Sequence, residues 1–316
     1  MFRYFCCALL PFCFALSASA EDHPRLVQKF EGHKDRVTSV AFGATDDIFV
    51  SSSMDNKVIL WKISGDDVKS ASLNTGVPVY SAAVADDGRS VAAAAEDMSV
   101  FFWDAASKSP AQMLNAHTAP LLCTAFTKKD GWASGGKDAN IFLWNGGREN
   151  PAGKLKGHSD AVLSLEFNAD GSRLVSAGND KLAAVWDTKT KKFLKVLKGH
   201  KEPVRCASFN ADASKVVTGS YDGNAIIWDV KTGKILKTVR TPHKKVFGAV
   251  FLGEDKIITG GSDDNIIIWD IQKGTELEKL TGHTATITSL SISPSGKKLL
   301  SCGGNDIFLW DVSEKE

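Results

Sequence analysis

The sequence predicts an all-β chain made of seven copies of one strand-only unit, and three observations carry that reading. Seven Trp residues stand at 61, 103, 144, 186, 228, 269 and 310, at intervals of 42, 41, 42, 42, 41 and 41 residues. A His precedes six of them by 26 to 28 residues, at 33, 117, 158, 200, 243 and 283, and Thr75 takes its place in the second copy. Within each copy, short apolar runs of period two are cut by Gly/Asn/Asp turns every eight to twelve residues or so, which is the pattern of antiparallel strands and not of helices.

The clearest copy spans residues 157–187. It opens at Gly157-His158 and passes through the alternation Val162, Ser164, Glu166 and Phe167. An Asn-Ala-Asp-Gly turn, a second apolar run and a tight turn at Asn179-Asp180 follow, and the third strand ends at Trp186-Asp187. Such a unit has open edges and too little apolar surface to fold alone, so the copies must pack on one another. Gly-His recurs at 32–33, 199–200 and 282–283, and Trp-Asp at 103–104, 228–229, 269–270 and 310–311. On these motifs the chain resembles the WD-repeat family, the β-propellers related to the G-protein β subunit, over residues 26–313. The resemblance implies a seven-bladed β-propeller of four-stranded antiparallel blades around a central channel.

From the N-terminus onward, residues 1–20 stand apart from the repeats. A short positive start, an apolar stretch over 4–16 and Ala18-Ser19-Ala20 before Glu21 are the parts of a secretory signal peptide. The apolar part is too short to span a bilayer stably. We expect cleavage near Ala20 and an exported protein, periplasmic or secreted. The competing reading, an ordinary N-terminal extension, leaves the chain cytoplasmic. No Asn-x-Ser/Thr acceptor occurs, which leans towards a bacterial periplasm.

One propeller domain is expected over residues 24–313. Residues 24–30 read as a lone strand, whereas the last repeat stops after three strands at Trp310-Asp311-Val312. The N-terminal strand is therefore expected to pair with residues 306–312, which closes the ring and hides an edge. Trp132, off the Trp-Asp register, falls where other copies hold Phe49, Leu174 or Leu299, a position of inter-blade core. Cys123 and Cys206 occupy equivalent first-strand positions in the third and fifth copies, and Cys302 lies in a second strand of the seventh. All three read as small buried apolar residues, a reactive thiol being the alternative.

Each good copy also holds a Ser or Thr ten residues before the Trp and an Asp six before it. The sets are His33/Ser51/Asp55/Trp61, His117/Ser134/Asp138/Trp144, His158/Ser176/Asp180/Trp186, His200/Thr218/Asp222/Trp228 and His243/Thr259/Asp263/Trp269. They invite comparison with Ser-His-Asp hydrolases, but a nucleophile needs a cleft and an oxyanion site, once per active site. Recurrence at a fixed period beside a Trp points to a buried structural network: indole N–H to hydroxyl, hydroxyl to imidazole, imidazole to carboxylate. The second copy breaks it, with Thr75 and Ala93 in the His and hydroxyl positions beside Asp97 and Trp103. The seventh keeps His283, Ser301 and Trp310, but its hairpin Gly303-Gly304-Asn305-Asp306 is one residue short and lacks the Asp.

Function then falls to surfaces the repeat does not dictate. In the family this chain resembles, partner peptides commonly dock on the face carrying strand starts and hairpin turns. Three registers are expected there. Five after the His, taking Thr75 as the His position and allowing one deletion in the sixth copy, stand Thr38, Tyr80, Leu122, Leu163, Arg205, Phe247 and Thr288. Three after it stand Arg36, Pro78, Pro120, Ala161 and Pro203. Just before the Asp stand Met54, Glu96, Lys137, Asn179, Tyr221 and Ser262. The candidate partner-binding residues are Tyr80, Leu122, Leu163, Arg205, Tyr221, Phe247, Arg36 and Met54, more apolar and aromatic than an idle surface requires. The alternative is that some of them turn inward and pack between blades.

Composition narrows the classes further. Lys and Arg total 38 against 37 Asp and Glu, so no charge imbalance argues for nucleic acid, a membrane or a polyanionic substrate, and no basic stripe interleaved with aromatics stands out for nucleic acid. No cofactor motif, zinc spacing or second long apolar segment appears. The reading is a non-catalytic, monomeric scaffold for a protein or peptide partner, without cofactor, metal or membrane span. Its alternative is an exported propeller enzyme or small-ligand-binding protein with a site at the channel mouth.

Overall fold

A computed structural model describes residues 23–106, 111–127 and 131–314. Residues 1–20, assigned above to a signal peptide, lie outside the described residues. Among the described residues there are 28 strands in seven four-stranded sheets and no helix, so no helix long and apolar enough to cross a membrane.

The first strand, β1 (Leu26–Phe30), stands alone before the repeats. Blade one is β2 (Val37–Phe42), β3 (Ile48–Ser53), β4 (Lys57–Ser64) and β5 (Asp67–Asn74). Blade two is β6 (Val79–Val84), β7 (Ser90–Ala95), β8 (Val100–Asp104) and β9 (Gln112–Leu114). Blade three is β10 (Leu121–Phe126), β11 (Gly131–Gly136), β12 (Asn140–Asn145) and β13 (Gly153–Lys156). Blade four is β14 (Val162–Phe167), β15 (Arg173–Gly178), β16 (Leu182–Asp187) and β17 (Lys192–Lys198). Blade five is β18 (Val204–Phe209), β19 (Lys215–Ser220), β20 (Asn224–Asp229) and β21 (Ile235–Arg240). Blade six is β22 (Val246–Leu252), β23 (Lys256–Gly261), β24 (Ile266–Asp270) and β25 (Thr275–Leu280). Blade seven is β26 (Ile287–Ile292), β27 (Lys298–Gly303), β28 (Asp306–Asp311) and, as its outer strand, β1.

The expected closure is present. Lys29 pairs with Phe308 and Phe30 with Ile307 in antiparallel register, and Arg25 ties the seam. Its Nε donates to Glu278 at 2.7 Å, and its Nη1 donates to the carbonyls of Asp311 and Ser313. Phe30 also packs edge-on against Phe49 and Trp61 of blade one, so the same strand seals blade seven and wedges it to its neighbour.

The first three strands of each blade supply most of the core, their side chains meshing between adjacent blades. Trp132 fills space that blade two leaves empty. Strand β7 is almost all Ala, and Trp132 reaches across to stack on Phe102 (ring centroids 6.1 Å apart) while stacking on Trp144 in its own blade (4.9 Å). Its indole N–H donates to the Gly146 carbonyl at 2.8 Å.

The strict alternation read from the sequence fails at one place in every blade. Each first strand carries a β-bulge between the fourth and sixth residues after the His position: Val37/Ser39, Val79/Ser81, Leu121/Cys123, Val162/Ser164, Val204/Cys206, Val246/Gly248 and Ile287/Ser289. In blade six the count is one shorter, because the segment after His243 lacks a residue.

Candidate interaction face and the buried network

The hairpin joining second and third strands positions the network carboxylate. In blades one to six the residue after the Asp has left-handed backbone, with φ of 66° at Asn56, 70° at Met98, 59° at Ala139, 69° at Lys181, 78° at Gly223 and 63° at Asp264. That turn lets the Asp accept from the N–H two residues on, as Asp55 does from Lys57 and Asp222 from Asn224. The carboxylate is left facing the His of its own blade.

The network assembles as expected in five blades. His33 Nδ1–H donates to Asp55 at 3.1 Å, the Ser51 hydroxyl meets His33 Nε2 at 2.8 Å, and Trp61 Nε1–H donates to Ser51 at 2.8 Å. The matching His–Asp, His–hydroxyl and Trp–hydroxyl distances are 3.0, 2.8 and 2.9 Å around His117. They are 2.8, 2.7 and 2.8 Å around His158 and 2.9, 2.8 and 2.8 Å around His200. His243 pairs with Asp263 and, at 3.1 Å, with Thr259, which accepts from Trp269 at 2.8 Å.

Burial pushes the imidazoles of His33, His117 and His200 down, against the pull of their aspartates. Burial likewise pushes the partner carboxylates up. Hydrogen bonds from backbone N–H groups and from the imidazoles outweigh it, and Asp55, Asp138, Asp180, Asp222 and Asp263 all end below the ordinary range. All six hydroxyls, Ser51, Ser134, Ser176, Thr218, Thr259 and Ser301, have no exposed surface. They lie inside the blades and not in the central cavity.

Two blades depart. In blade two Thr75 Oγ1 turns to the carbonyls of Asn56 and Val77, and Ala93 offers no hydroxyl. In blade seven Ser301 lies 2.7 Å from both His283 Nε2 and Trp310 Nε1, while His283 Nδ1 is buried without a hydrogen-bond partner. Phe308 stacks over that imidazole at 4.0 Å. Burial, with a small push from Lys29, lowers His283 to about 4.

The bulges explain the channel mouth. The extra residue in each first strand is the one five after the His, so the bulge re-aims that side chain in all seven blades. Thr38, Tyr80, Leu122, Leu163, Arg205, Phe247 and Thr288 accordingly all line the central cavity, whose volume is about 370 Å³. The other two registers meet beside them through backbone bonds. Met54 N–H donates to the Arg36 carbonyl, Glu96 to Pro78, Lys137 to Pro120, Asn179 to Ala161, and Tyr221 to Pro203. All three registers thus share one face.

The structure groups some of these residues and turns others inward. Tyr221 and Phe247 pack with ring centroids 5.4 Å apart, and the Lys245 ammonium lies 5.0 Å from the Tyr221 ring. Tyr80 donates to Glu96 at 3.2 Å and feels the charge of Arg36, and Arg205 Nη1 donates to the Leu163 carbonyl at 3.0 Å. Thr38 is buried, bonded to Ser52 and to the Val79 carbonyl, and Thr288 bonds the Val37 carbonyl. These two threonines join blades. Tyr80, Leu122, Leu163, Arg205, Tyr221, Phe247 and Met54 are half-buried, and Arg36 is exposed.

Glu166, part of the first-strand alternation of blade four, also lines the cavity. Its Oε1 accepts from Phe209 N–H at 2.8 Å and from the Ser208 hydroxyl at 3.1 Å. Ser291, at the same register of blade seven, accepts from Phe42 N–H at 3.1 Å, and Ser39 and Ser81 take the N–H groups of Ala82 and Thr124. Side chains of one inner strand thus satisfy free N–H groups of the next. Glu166 does this work with a charge, and burial pushes it up to about 7 against the pull of those two donors. Cys123 and Cys302 are buried as expected, whereas Cys206 is half-buried, lining the cavity; all three are free thiols, which desolvation pushes up to about 12, so that, protonated at neutral pH, they are poor nucleophiles.

Six stretches match the family described as WD domain, G-beta repeat: residues 24–62, 69–104, 108–145, 149–187, 191–229 and 274–311. Between the last two lies blade six, which the structure nevertheless shows as a full four-stranded sheet with its complete network. No curated protein matches the chain.

Proposed function

The chain belongs to the WD domain, G-beta repeat family, and from that premise we propose that it is a non-catalytic scaffold docking a protein or peptide across the mouth of its channel. WD propellers commonly serve as protein-interaction scaffolds. What supports the docking face is the mouth itself: seven bulges direct seven side chains to one opening, and the repeat prescribes none of their identities. Tyr80, Leu122, Leu163, Arg205, Tyr221 and Phe247 supply the aromatic, aliphatic and guanidinium anchors that carry binding energy at interfaces. Arg36 and Met54 extend them at the rim. Export after cleavage near Ala20 completes the reading, on the pattern of residues 1–20, and places the partner outside the cytoplasm.

Crosslinking and pull-down of the mature protein test this, with Tyr80→Ala/Phe247→Ala as comparison. Loss of two such anchors weakens capture by about tenfold or more, while the melting temperature stays near that of the parent. Undiminished capture by the double variant rules out the mouth as the docking site. Amino-terminal sequencing of protein from the extracytoplasmic fraction checks export, with Glu21 expected first.

A further inference from the structure

The outer wall of the ring is not uniform. In blades four to seven the outermost strand carries a second bulge, at Leu194, Leu236, Leu277 and Val27 respectively. Each bulged residue is a large aliphatic, exposed by 42, 52, 48 and 46%. Phe193, Val196 and Ile235 are exposed beside them on β17 and β21. Phe193 has a structural task, stacking on Trp186 at 4.0 Å, and Ile235 pairs opposite Trp228. Leu194, Val196 and Leu236 have no such cover to provide.

Charge singles out two of the four blades. Residues 188–201, which contain β17, hold Lys189, Lys191, Lys192, Lys195, Lys198 and Lys201 and no acid. Residues 230–240, which contain β21, hold Lys231, Lys234, Lys237 and Arg240, again with no acid. At the adjoining turns Asp187 and Asp229 are taken up by the N–H and hydroxyl of Thr190 and Thr232. On blade six, by contrast, Glu276 and Glu278 flank Leu277, and Arg25 is paired with Glu278. The two outer edges meet at one point, where the turn at Gly233, which leads into β21, lies against Lys195 and Val196 of β17. The near-equality of positive and negative residues over the whole chain conceals this local basic excess beside Phe193.

Lysines and bulges both guard a free sheet edge against unwanted pairing, and that accounts for their presence. It does not account for aliphatics placed at the bulges. Nor does the edge suit an added peptide strand: the bulge breaks the edge ladder that such pairing needs. A broad, deformable, negatively charged surface with an apolar interior fits both features. Side chains such as Leu194 and Leu236 enter its boundary while lysine ammonium groups stay at the headgroups.

We propose that the outer wall of blades four and five, centred on Leu194 and Leu236, is a docking surface for an anionic lipid bilayer. It is separate from the channel mouth and independent of the function proposed there. Flotation of the full chain tests it, with vesicles of phosphatidylcholine alone and of an equal mixture with phosphatidylglycerol. Two variants are compared, Leu194→Ser/Leu236→Ser and Lys192→Glu/Lys234→Glu, each checked for an unchanged melt. All three proteins share residues 1–20, so differences among them report on the wall alone. The parent is expected to favour anionic vesicles by about tenfold or more, each charge reversal costing about fivefold and added salt weakening binding. The serine variant is expected to lose binding to a similar degree. Equal binding to both vesicle types, or variants that float like the parent, overturns the proposal. Retention of a polyglutamate peptide through these lysines without vesicle binding overturns it too, and makes the wall a site for acidic proteins.

Discussion

At the scale of the residue, an imidazole is the hinge of each network. In blades one, three and five Nδ1–H donates to the carboxylate while Nε2 accepts from a buried hydroxyl, and burial disfavours a second proton on the ring. The consequence is a pH dependence of stability with a definite sign. The imidazoles of His33, His117, His200 and His283 are lowered in the folded chain, so between the unfolded value of 6.5 and the folded one the unfolded chain binds more protons. Stability therefore falls as pH drops from 6.5. His283, at about 4, has the widest resolved window and no carboxylate to lose. Denaturant midpoints measured from pH 7 to pH 4.5 should decline. His283→Phe should flatten that decline by about one proton equivalent; an unchanged slope would show that its imidazole titrates normally. Glu166 runs the other way, since its raised carboxyl favours the folded chain most below 4.5 and loses that advantage as pH rises through about 7.

At the scale of the element, each blade is one hydrogen-bonded sheet, and its second and third strands are clamped by the hydroxyl that joins Trp to His. Blade two lacks that hydroxyl and packs mainly alanines on β7, with less apolar area to bury than the valine, isoleucine and leucine strands elsewhere. Blade seven leaves one buried nitrogen unbonded, a defect costing about 1–3 kcal/mol. Local opening is therefore expected first in these two blades. Native-state hydrogen exchange checks this through the amides of β7, β8, β27 and β28, which should exchange sooner than those of β15, β16, β19 and β20. Equal protection around the ring would contradict it.

At the scale of the whole molecule, closure is what converts seven marginal sheets into one protein. Strand β1 supplies the last pairing, a buried Phe30 and the Arg25 clamp, joining the two ends of the chain in one blade. Removing residues 24–30 uncovers the edge of β28 and the side of blade one together. Loss of the Phe30 side chain alone costs about 3–5 kcal/mol. The deletion is thus expected to abolish the cooperative melt or drive association through the freed edge, seen by calorimetry and size-exclusion chromatography. A deletion of equal length in a surface loop should do neither.

The sequence alone determined the blade number, the strand order, the closing strand and the membership of the buried network. Those features repeat because every blade must satisfy the same buried donors and acceptors, and a constraint imposed seven times leaves a period that Trp and His make visible. It also located the register that lines the channel mouth. Only the tertiary structure decided that a bulge aims that register inward, that Thr38 and Thr288 serve as joints between blades, and that Glu166 seals the next inner strand. It alone showed that the aliphatics of the outer wall stand exposed at bulges. The reason is geometric: ring packing makes neighbours of residues some forty positions apart, such as Glu166 and Phe209, and that adjacency leaves no mark in any local stretch of chain.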